Sequence, residues 1–277
     1  MPNIGFPEKA LRLLLAAIAI LWSCGPVYFI VAASFKDPVN IFAVPPTLIF
    51  EGTLDNYRLL FRDWPQFVQG LINSLIITVG ATLLTIAVST LAGYALARFR
   101  GRGLTASSFF LLLVRMFPPI VLTLPLFGFV NQLRMNDTHI LLIVFYAAFF
   151  VSLSSWIMKS FIEGIPVELE ESAAIDGAST WRILRSVILP LSANGIAASS
   201  VFIFVYSWNE YLYALIFTTR NARTAPLVLS EILGAVEGVQ WGVLFAAVTV
   251  QLLPILIFVI AVQRFIMAGL TAGSVKG

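Results

Sequence analysis

Six long runs of apolar residues, separated by short polar segments, dominate the sequence. A helix needs about 20 apolar residues to cross the hydrocarbon core of a membrane. We therefore predict transmembrane helices at about residues 13–35, 71–97, 105–130, 140–158, 195–217 and 241–263. The first apolar run exceeds the roughly 7–15 residues of a signal-peptide core, so we expect it to be retained as a helix. The pattern predicts an all-α membrane protein whose residues 1–277 form a single transmembrane domain.

Composition agrees with this membrane class. Hydrophobic residues make up 59% of the 277 residues and charged residues only 11%, whereas soluble domains carry about 25% charged residues. Mean hydropathy is +0.94. Cys24 and His139, the sole cysteine and histidine, lie far apart in the sequence, so we expect neither a disulfide nor a metal site. The net charge of +3 comes from loop lysines and arginines and indicates no nucleic-acid partner.

Lysine and arginine in the short loops predict the orientation of the helices, because positively charged loops stay in the cytoplasm. The densest cluster is Arg98, Arg100 and Arg102, directly after the second predicted helix. We therefore expect both termini and the loop at 159–190 to lie on the cytoplasmic side.

A polar segment between the fourth and fifth predicted helices, at about 163–190, contains the sequence ELEESAAIDGASTWRILRSVILP. The glutamates at its start favour the positive end of a helix dipole. Gly177 can adopt a positive φ and end that helix, and Ser179 or Thr180 can cap a second one. We predict a helix–glycine–helix hairpin on the cytoplasmic surface. Its second helix should carry Trp181, Leu184 and Ile188 on one face and end at Pro190.

This hairpin resembles the EAA loop of ABC-importer permease subunits, in which a Glu-Ala-Ala motif precedes a glycine and a terminal proline. Here the motif is Glu171-Ser172-Ala173, followed by Gly177 and Ile188-Leu189-Pro190, with Ser172 replacing an alanine. Further segments are similar to the smaller, six-helix permease of maltose-type carbohydrate importers: Phe117-Pro118-Pro119, Asp137-Thr138, Trp208-Asn209-Glu210-Tyr211 and the closing segment from Gly269. The resemblance implies the type I (MetI-like) ABC-importer permease fold with a cytoplasmic coupling-helix hairpin.

The resemblance also implies a function and partners. The chain would be the membrane-spanning subunit of an ATP-driven, binding-protein-dependent sugar importer in a bacterial or archaeal cytoplasmic membrane. Its partners would be a second permease, two ATP-binding cassette subunits, a periplasmic or lipid-anchored solute-binding protein, membrane lipid and a sugar or sugar-like substrate. The sequence contains no GxxxxGK[ST] phosphate loop, so we expect no enzymatic activity and no cofactor on this chain, with ATP and Mg bound by the partner subunits.

Three groups of residues are implied to contact these partners. The ATPase-coupling group lies in the hairpin and comprises Glu168, Glu171, Ser172, Ala173, Asp176, Gly177, Ala178, Ser179, Thr180 and Arg182. A group in the loop before the sixth predicted helix would contact the binding protein and comprises Arg220, Asn221 and Arg223. A C-terminal group would reach the ATPase subunits and comprises Thr271, Gly273 and Lys276.

Polar residues inside the predicted helices are the candidates for the translocation path. Arg115 lies about ten residues into the third helix, near the middle of the bilayer, so it should face protein or a water-filled cavity. Its functional role would be a wall of the sugar path or a latch that stabilises one state. The alternative is an ion pair or carbonyl contact that holds helices together. Asn209, Glu210 and Tyr211 suit a sugar through hydrogen bonds and ring stacking. The alternative for this aromatic segment is an interfacial belt with a structural glutamate.

Two other classes of protein compete with the importer subunit. An ion-coupled secondary transporter or channel could use Arg115 and Glu210 as a charged relay and would need no ATPase. A membrane-embedded enzyme has no support, because the sequence shows no nucleophile–base pair and no cluster of metal ligands.

Overall fold

The computed structural model describes residues 6–47, 49–235 and 238–273, without the side chains of residues 6, 7 and 266–273. Every regular element in these ranges is a helix, which confirms the all-α prediction. In chain order the helices are α1 (Phe6–Ser34), α2 (Asp55–Asp63), α3 (Gln66–Arg98), α4 (Arg102–Arg115), α5 (Pro119–Gln132), α6 (His139–Glu163), α7 (Glu168–Ile175), α8 (Thr180–Ile183), α9 (Leu189–Leu191), α10 (Ala193–Asn209), α11 (Leu212–Phe217), α12 (Ala225–Leu233) and α13 (Trp241–Gly273). A π-helical turn, Leu184–Ile188, joins α8 to α9.

Four helices are long and apolar enough to cross a membrane: α1, α3, α6 and α13. They correspond to the first, second, fourth and sixth predicted spans. Two further pairs of helices have the composition of a span but are bent, α4–α5 by 98° and the Thr180–Leu191 helix against α10 by 74°. The described residues therefore provide up to six spans when each bent pair is counted as one.

The third predicted span is broken into two helices, in line with the irregular helix that Pro118, Pro119 and Pro125 predict. α4 ends at Arg115, and α5 begins at Pro119. Pro118 is extended, with φ −60° and ψ 133°, because the ring of the following proline disfavours the helical region for the residue before it. Pro119 then starts the next helix, where its missing N–H leaves no hydrogen bond unmade.

The prediction of one continuous helix for the fifth span, at 195–217, is wrong. α10 ends at Asn209, Glu210 is extended, and α11 begins at Leu212. Pro190 does not end the preceding helix as predicted, since it lies inside α9, and the 74° bend follows at Ser192. Proline is tolerated there because it occupies the first turn of α9.

The chain divides into two compact units. The first contains residues up to Val68 together with Val228–Leu253. Its polar centre is the buried Asn56, whose amide nitrogen donates to the carbonyls of Ser34 (3.0 Å) and Lys36 (2.7 Å). Gly242 leaves the space that the Asn56 side chain fills. One carboxamide therefore joins the end of α1 to α2 beside the start of α13.

The second unit contains Gln69–Leu227 and the chain from Pro254. Its α6 packs against α10 and α4, and α3 approaches α6 closely. At this approach the hydroxyls of Ser89 and Ser154 form a buried hydrogen bond of 2.8 Å. Gly93 lies directly against the backbone of α6 at Met158 and Lys159. Small residues and shared hydroxyls of this kind drive helix association in membranes, where apolar burial between helices contributes little.

Gly93→Ala tests this packing. The added Cβ would lie 2.7 Å from the Cβ of Met158 and 2.9 Å from the amide nitrogen of Lys159, so α3 and α6 must separate, at a cost of about 1–3 kcal/mol. Gly103→Ala is the matched control, because no atom lies within 4 Å of a Cβ at that position. We expect a lower thermal unfolding midpoint in detergent for Gly93→Ala alone. Equal midpoints for the two variants would contradict the close approach.

Candidate functional site

The polar hairpin of residues 168–191 has the predicted helix–glycine–helix form. Gly177 has φ +80°, a region that glycine occupies without strain. Its N–H donates to the Ala174 carbonyl, and the N–H of Ala178 donates to the Ala173 carbonyl, both at 3.0 Å. These two bonds are the Schellman arrangement that closes a helix C-terminus. Ser179 then caps α8 by accepting the N–H of Arg182.

The inner face of the hairpin packs on the end of α6. Ile183, Leu184 and Ile188 form a buried cluster with Met158 and Ile162. This cluster fixes the hairpin to α6 by apolar burial.

The prediction that Trp181 shares one helix face with Leu184 and Ile188 is wrong. The Trp181 side chain is 65% exposed, and Ile183 is buried in its place. The prediction assumed a regular 3.6-residue period, whereas the π-helical turn at Leu184–Ile188 changes the angular spacing of the buried positions.

One of the three glutamates of α7 is structural. The Glu170 carboxylate accepts hydrogen bonds from Arg98 Nε at 2.6 Å and from the Tyr94 hydroxyl at 2.9 Å. Arg98 also donates to the Ile165 carbonyl at 2.8 Å. The Arg98 and Glu170 side chains are only 11% and 10% exposed, so this ion pair ties α7 to the end of α3. Sequence reasoning missed it, although the four-residue spacing of Tyr94 and Arg98 puts both on one helix face.

Most of the predicted coupling residues lie on the outer surface of the hairpin. Ala173 and Ala178 are half-buried, and the others are exposed: Glu168, Glu171, Ser172, Asp176, Gly177, Ser179, Thr180 and Arg182. Exposed apolar side chains stand among them, including Leu169, Ile175 at 87% exposure and Trp181. A cavity of about 260 Å³ separates the two helices and is lined partly by Asp176 and Arg182. The surface thus combines charge, exposed apolar area and a groove.

We predicted that Arg115 lies about ten residues into the third span. The structure places it elsewhere. It is the last residue of α4, at the 98° bend. Its Nη1 is buried and has no hydrogen-bond partner among the described residues. The proline-directed break explains the difference, because it ends the helix at the arginine.

Glu210 occupies the break between α10 and α11. Its carboxylate accepts the N–H groups of Tyr213 (2.8 Å) and Ala214 (3.3 Å) and the hydroxyl of Tyr146 (2.5 Å). It therefore caps the first turn of α11, where orphan N–H groups and the helix dipole both favour an anion.

A cavity of about 320 Å³ lies beside this cap. Its wall is mainly aromatic and consists of Pro119, Tyr146, Phe149, Phe150, Tyr206, Asn209, Glu210, Leu212 and Tyr213. The structure thus brings together two of the predicted path residues, Asn209 and Glu210. Tyr211 and Arg115 are not among the lining residues.

The loop from Thr218 to Thr224 carries the three residues predicted to contact a binding protein. Arg220 and Asn221 are exposed, and Arg223 is half-buried. The carboxylate of Asp137 lies beneath this loop and accepts four of its backbone N–H groups. Although partial burial opposes ionisation, these bonds lower the pKa of Asp137 to about 2. Asp137 therefore remains charged at any pH near neutrality.

The predicted C-terminal contact group is only partly covered. Thr271 and Gly273 lie in α13, where the structure describes the backbone only. Lys276 lies outside the described residues altogether.

Known proteins resemble this chain over nearly its whole length. The trehalose/maltose transport system permease protein MalG of Thermococcus litoralis is 36% identical over 97% of this chain and 98% of its own length. The trehalose transport system permease protein SugB of Mycobacterium tuberculosis is 36% identical over 91% of this chain and 92% of its own.

A solved structure shares the fold. A chain of a bacterial ABC transporter involved in the import of the acidic polysaccharide alginate superposes with a TM-score of 0.75 and 20% identity, covering 95% of this chain and 99% of that chain. The family described as binding-protein-dependent transport system inner membrane component matches residues 85–271, which include the hairpin, Glu210 and Asp137. The chain belongs to this family of inner-membrane transport components.

Proposed function

We propose that this chain is the permease subunit of an ATP-driven importer whose cargo is a sugar or a sugar-like molecule. The observation that carries the proposal is the exposed hairpin, a polar surface presented on a rigid base. Relatives named for trehalose and maltose transport support the cargo class.

The hairpin is the contact with an ATPase subunit. Its exposed carboxylates and Arg182 offer charge, and Ile175 and Trp181 offer apolar anchors of the kind that dominate binding energy at interfaces. Arg98 and Glu170 join the hairpin to α3, so a movement of the hairpin is passed to a membrane helix. The partner subunits bind ATP and Mg and hydrolyse the ATP, because this sequence has no phosphate loop.

The proposed assembly contains a second permease, two ATP-binding cassette subunits and a solute-binding protein. The hairpin and both termini face the cytoplasm of a bacterium or archaeon, with the C-terminal group at 271–276 reaching the ATPase subunits. The loop at 218–224 then faces the opposite side, where Arg220, Asn221 and Arg223 contact the binding protein.

The aromatic cavity beside Glu210 is the proposed sugar contact of this subunit. Tyr206 and Phe150 offer ring faces for stacking, and Asn209 offers a carboxamide for sugar hydroxyls. Glu210 shapes this cavity by capping α11. No observation favours the ion-coupled alternative, because the Glu210 carboxylate is already held by three donors and Arg115 does not line the cavity.

Substitution of Gly177 tests the coupling role of the hairpin. Gly177→Val forces a β-branched residue to φ +80°, a genuine outlier, whereas asparagine tolerates this region. We expect at least a tenfold loss of sugar uptake and of binding-protein-stimulated ATPase activity in Gly177→Val, with membrane insertion intact. Gly177→Asn is the matched control. Glu171→Lys, which reverses an exposed charge, should produce the same loss. Normal uptake in both Gly177→Val and Glu171→Lys would refute the coupling role.

Glu170 and Glu168 provide a matched pair for the anchor of the hairpin. Glu170→Ala leaves Arg98 buried without its counter-charge, which costs about 3–5 kcal/mol, so the thermal midpoint of the purified complex should fall. Glu168→Ala removes an exposed carboxylate of the same helix and should leave the midpoint unchanged. The double variant Arg98→Met/Glu170→Met should recover stability, since it removes both charges. Equal midpoints for the two single variants would show that the ion pair anchors nothing.

Arg115→Met tests whether the arginine at the α4–α5 bend takes part in transport. A buried guanidinium nitrogen without a partner is costly in the observed conformation, so its removal should shift the balance between conformations and change the basal ATPase rate several-fold. Arg102→Met, at the exposed start of the same helix, is the control. If uptake and basal ATPase activity both match the wild type, Arg115 has a structural role only.

A further inference from the structure

The loop at 218–224 is held from two sides by side chains that are remote in sequence. On one side is Asp137, whose own φ of +57° lies in the left-handed region that aspartate tolerates. Its carboxylate accepts the N–H groups of four consecutive residues, Thr219 to Ala222, at 2.9–3.2 Å. Successive N–H groups converging on one anion form a backbone nest, here with a built-in anion.

On the other side is Asn73 of α3. Its amide nitrogen donates to the carbonyls of Asn221 and Arg223, both at 2.9 Å. Its carbonyl oxygen accepts Gln69 Nε2 at 3.0 Å and lies 2.8 Å from His139 Nε2. Asn73 is only 1% exposed, so its carboxamide has one orientation and holds the loop carbonyls in place.

The two sides together determine the conformation of the loop. Asp137 uses the N–H groups, Asn73 uses the carbonyls, and the Ser74 hydroxyl accepts the N–H of Ala225 at the exit of the loop. Thr218, Ala222 and Thr224 are buried, while the side chains of Arg220 and Asn221 point to solvent. In a loop that only connects two helices, these backbone groups could hydrogen-bond to water. Here side chains of the protein hold them instead, which a simple connection does not require.

We propose that Asp137 and Asn73 are positioning residues that pre-form this loop for the docking of the solute-binding protein, with Arg220 and Asn221 as the presented side chains. The inference rests on the proposed function. Fixing a flexible backbone costs conformational entropy, and a loop already ordered by the permease avoids that cost when a partner binds. The partner surface should offer acidic or carbonyl oxygens to the guanidinium and the carboxamide.

The first test measures the loop itself. Hydrogen exchange of the assembled transporter in lipid nanodiscs, without a binding protein, should show faster exchange of the amides of residues 219–222 in Asp137→Asn than in the wild type. Asp63→Asn is the control, because Asp63 is paired only with exposed Arg62. Unchanged exchange in Asp137→Asn would overturn the role of Asp137.

The second test measures docking. The purified binding protein of the same transporter, loaded with the sugar that most raises its melting temperature, is titrated against ATPase activity. We expect Asp137→Asn and Asn73→Ala to raise the half-saturating concentration about tenfold and to leave the maximal rate unchanged. A purely structural defect would lower the maximal rate instead. Asp137→Glu should partly restore the wild-type value.

Further outcomes separate this inference from the proposed function. Faster exchange in Asp137→Asn with an unchanged half-saturating concentration would overturn the inference while leaving the importer intact. If Asp137→Asn fails to assemble, Arg220→Ala replaces it, since the exposed side chain lies outside the network, and an unchanged half-saturating concentration would again overturn the inference. A wild-type complex whose ATPase responds to no binding protein would refute the proposed function itself, and the exchange measurement would still report on the loop.

Discussion

The constraint on which this structure depends is that every backbone polar group in an apolar environment needs a partner within the protein. Helices meet it along their length, and the difficulty arises where a helix breaks. Between α10 and α11 the Glu210 carboxylate supplies acceptors for the N–H groups of Tyr213 and Ala214. An ionisable residue in this segment, which suggests transport chemistry at first sight, here caps the helix after the break, and the aromatic cavity lies beside that cap.

The same use of carboxylates recurs in the polar segments at the ends of the spans. Asp137 holds backbone N–H groups of one loop, and Glu170 holds Arg98 and Tyr94 beneath the hairpin. In each case an anion joins parts of the chain that lie 64 to 85 residues apart, Glu210 through its bond to Tyr146. The acidic residues of the hairpin therefore divide by burial: Glu170 is buried in the ion pair with Arg98, and Glu168 and Glu171 are exposed.

Sequence reasoning reached the helical class, the positions of most spans and the helix–glycine–helix hairpin, because each depends on local signals such as apolar length and the freedom of Gly177. It failed where a residue's hydrogen-bond partners are remote in sequence or where the angle between two helices matters. Pro118 and Pro119 indicate an irregular helix, but they do not predict a 98° bend. Asn209 and Glu210 are polar, but the segment up to Leu212 contains no glycine or proline that would mark a break. Asp137 accepts hydrogen bonds from backbone amides more than 80 residues away, and no local sequence pattern reveals such partners.

The distance between Arg98 and Glu170 along the chain has a consequence for the biogenesis of the protein. Glu170 is synthesised 72 residues after Arg98, and domains assemble as the chain emerges from the ribosome. Arg98 must therefore remain without its partner while α4, α5 and α6 are made. During this interval its charge is of the kind that retains a helix end in the cytoplasm. We expect one arginine to serve in succession as a topology signal for the nascent chain and as the anchor of the finished hairpin.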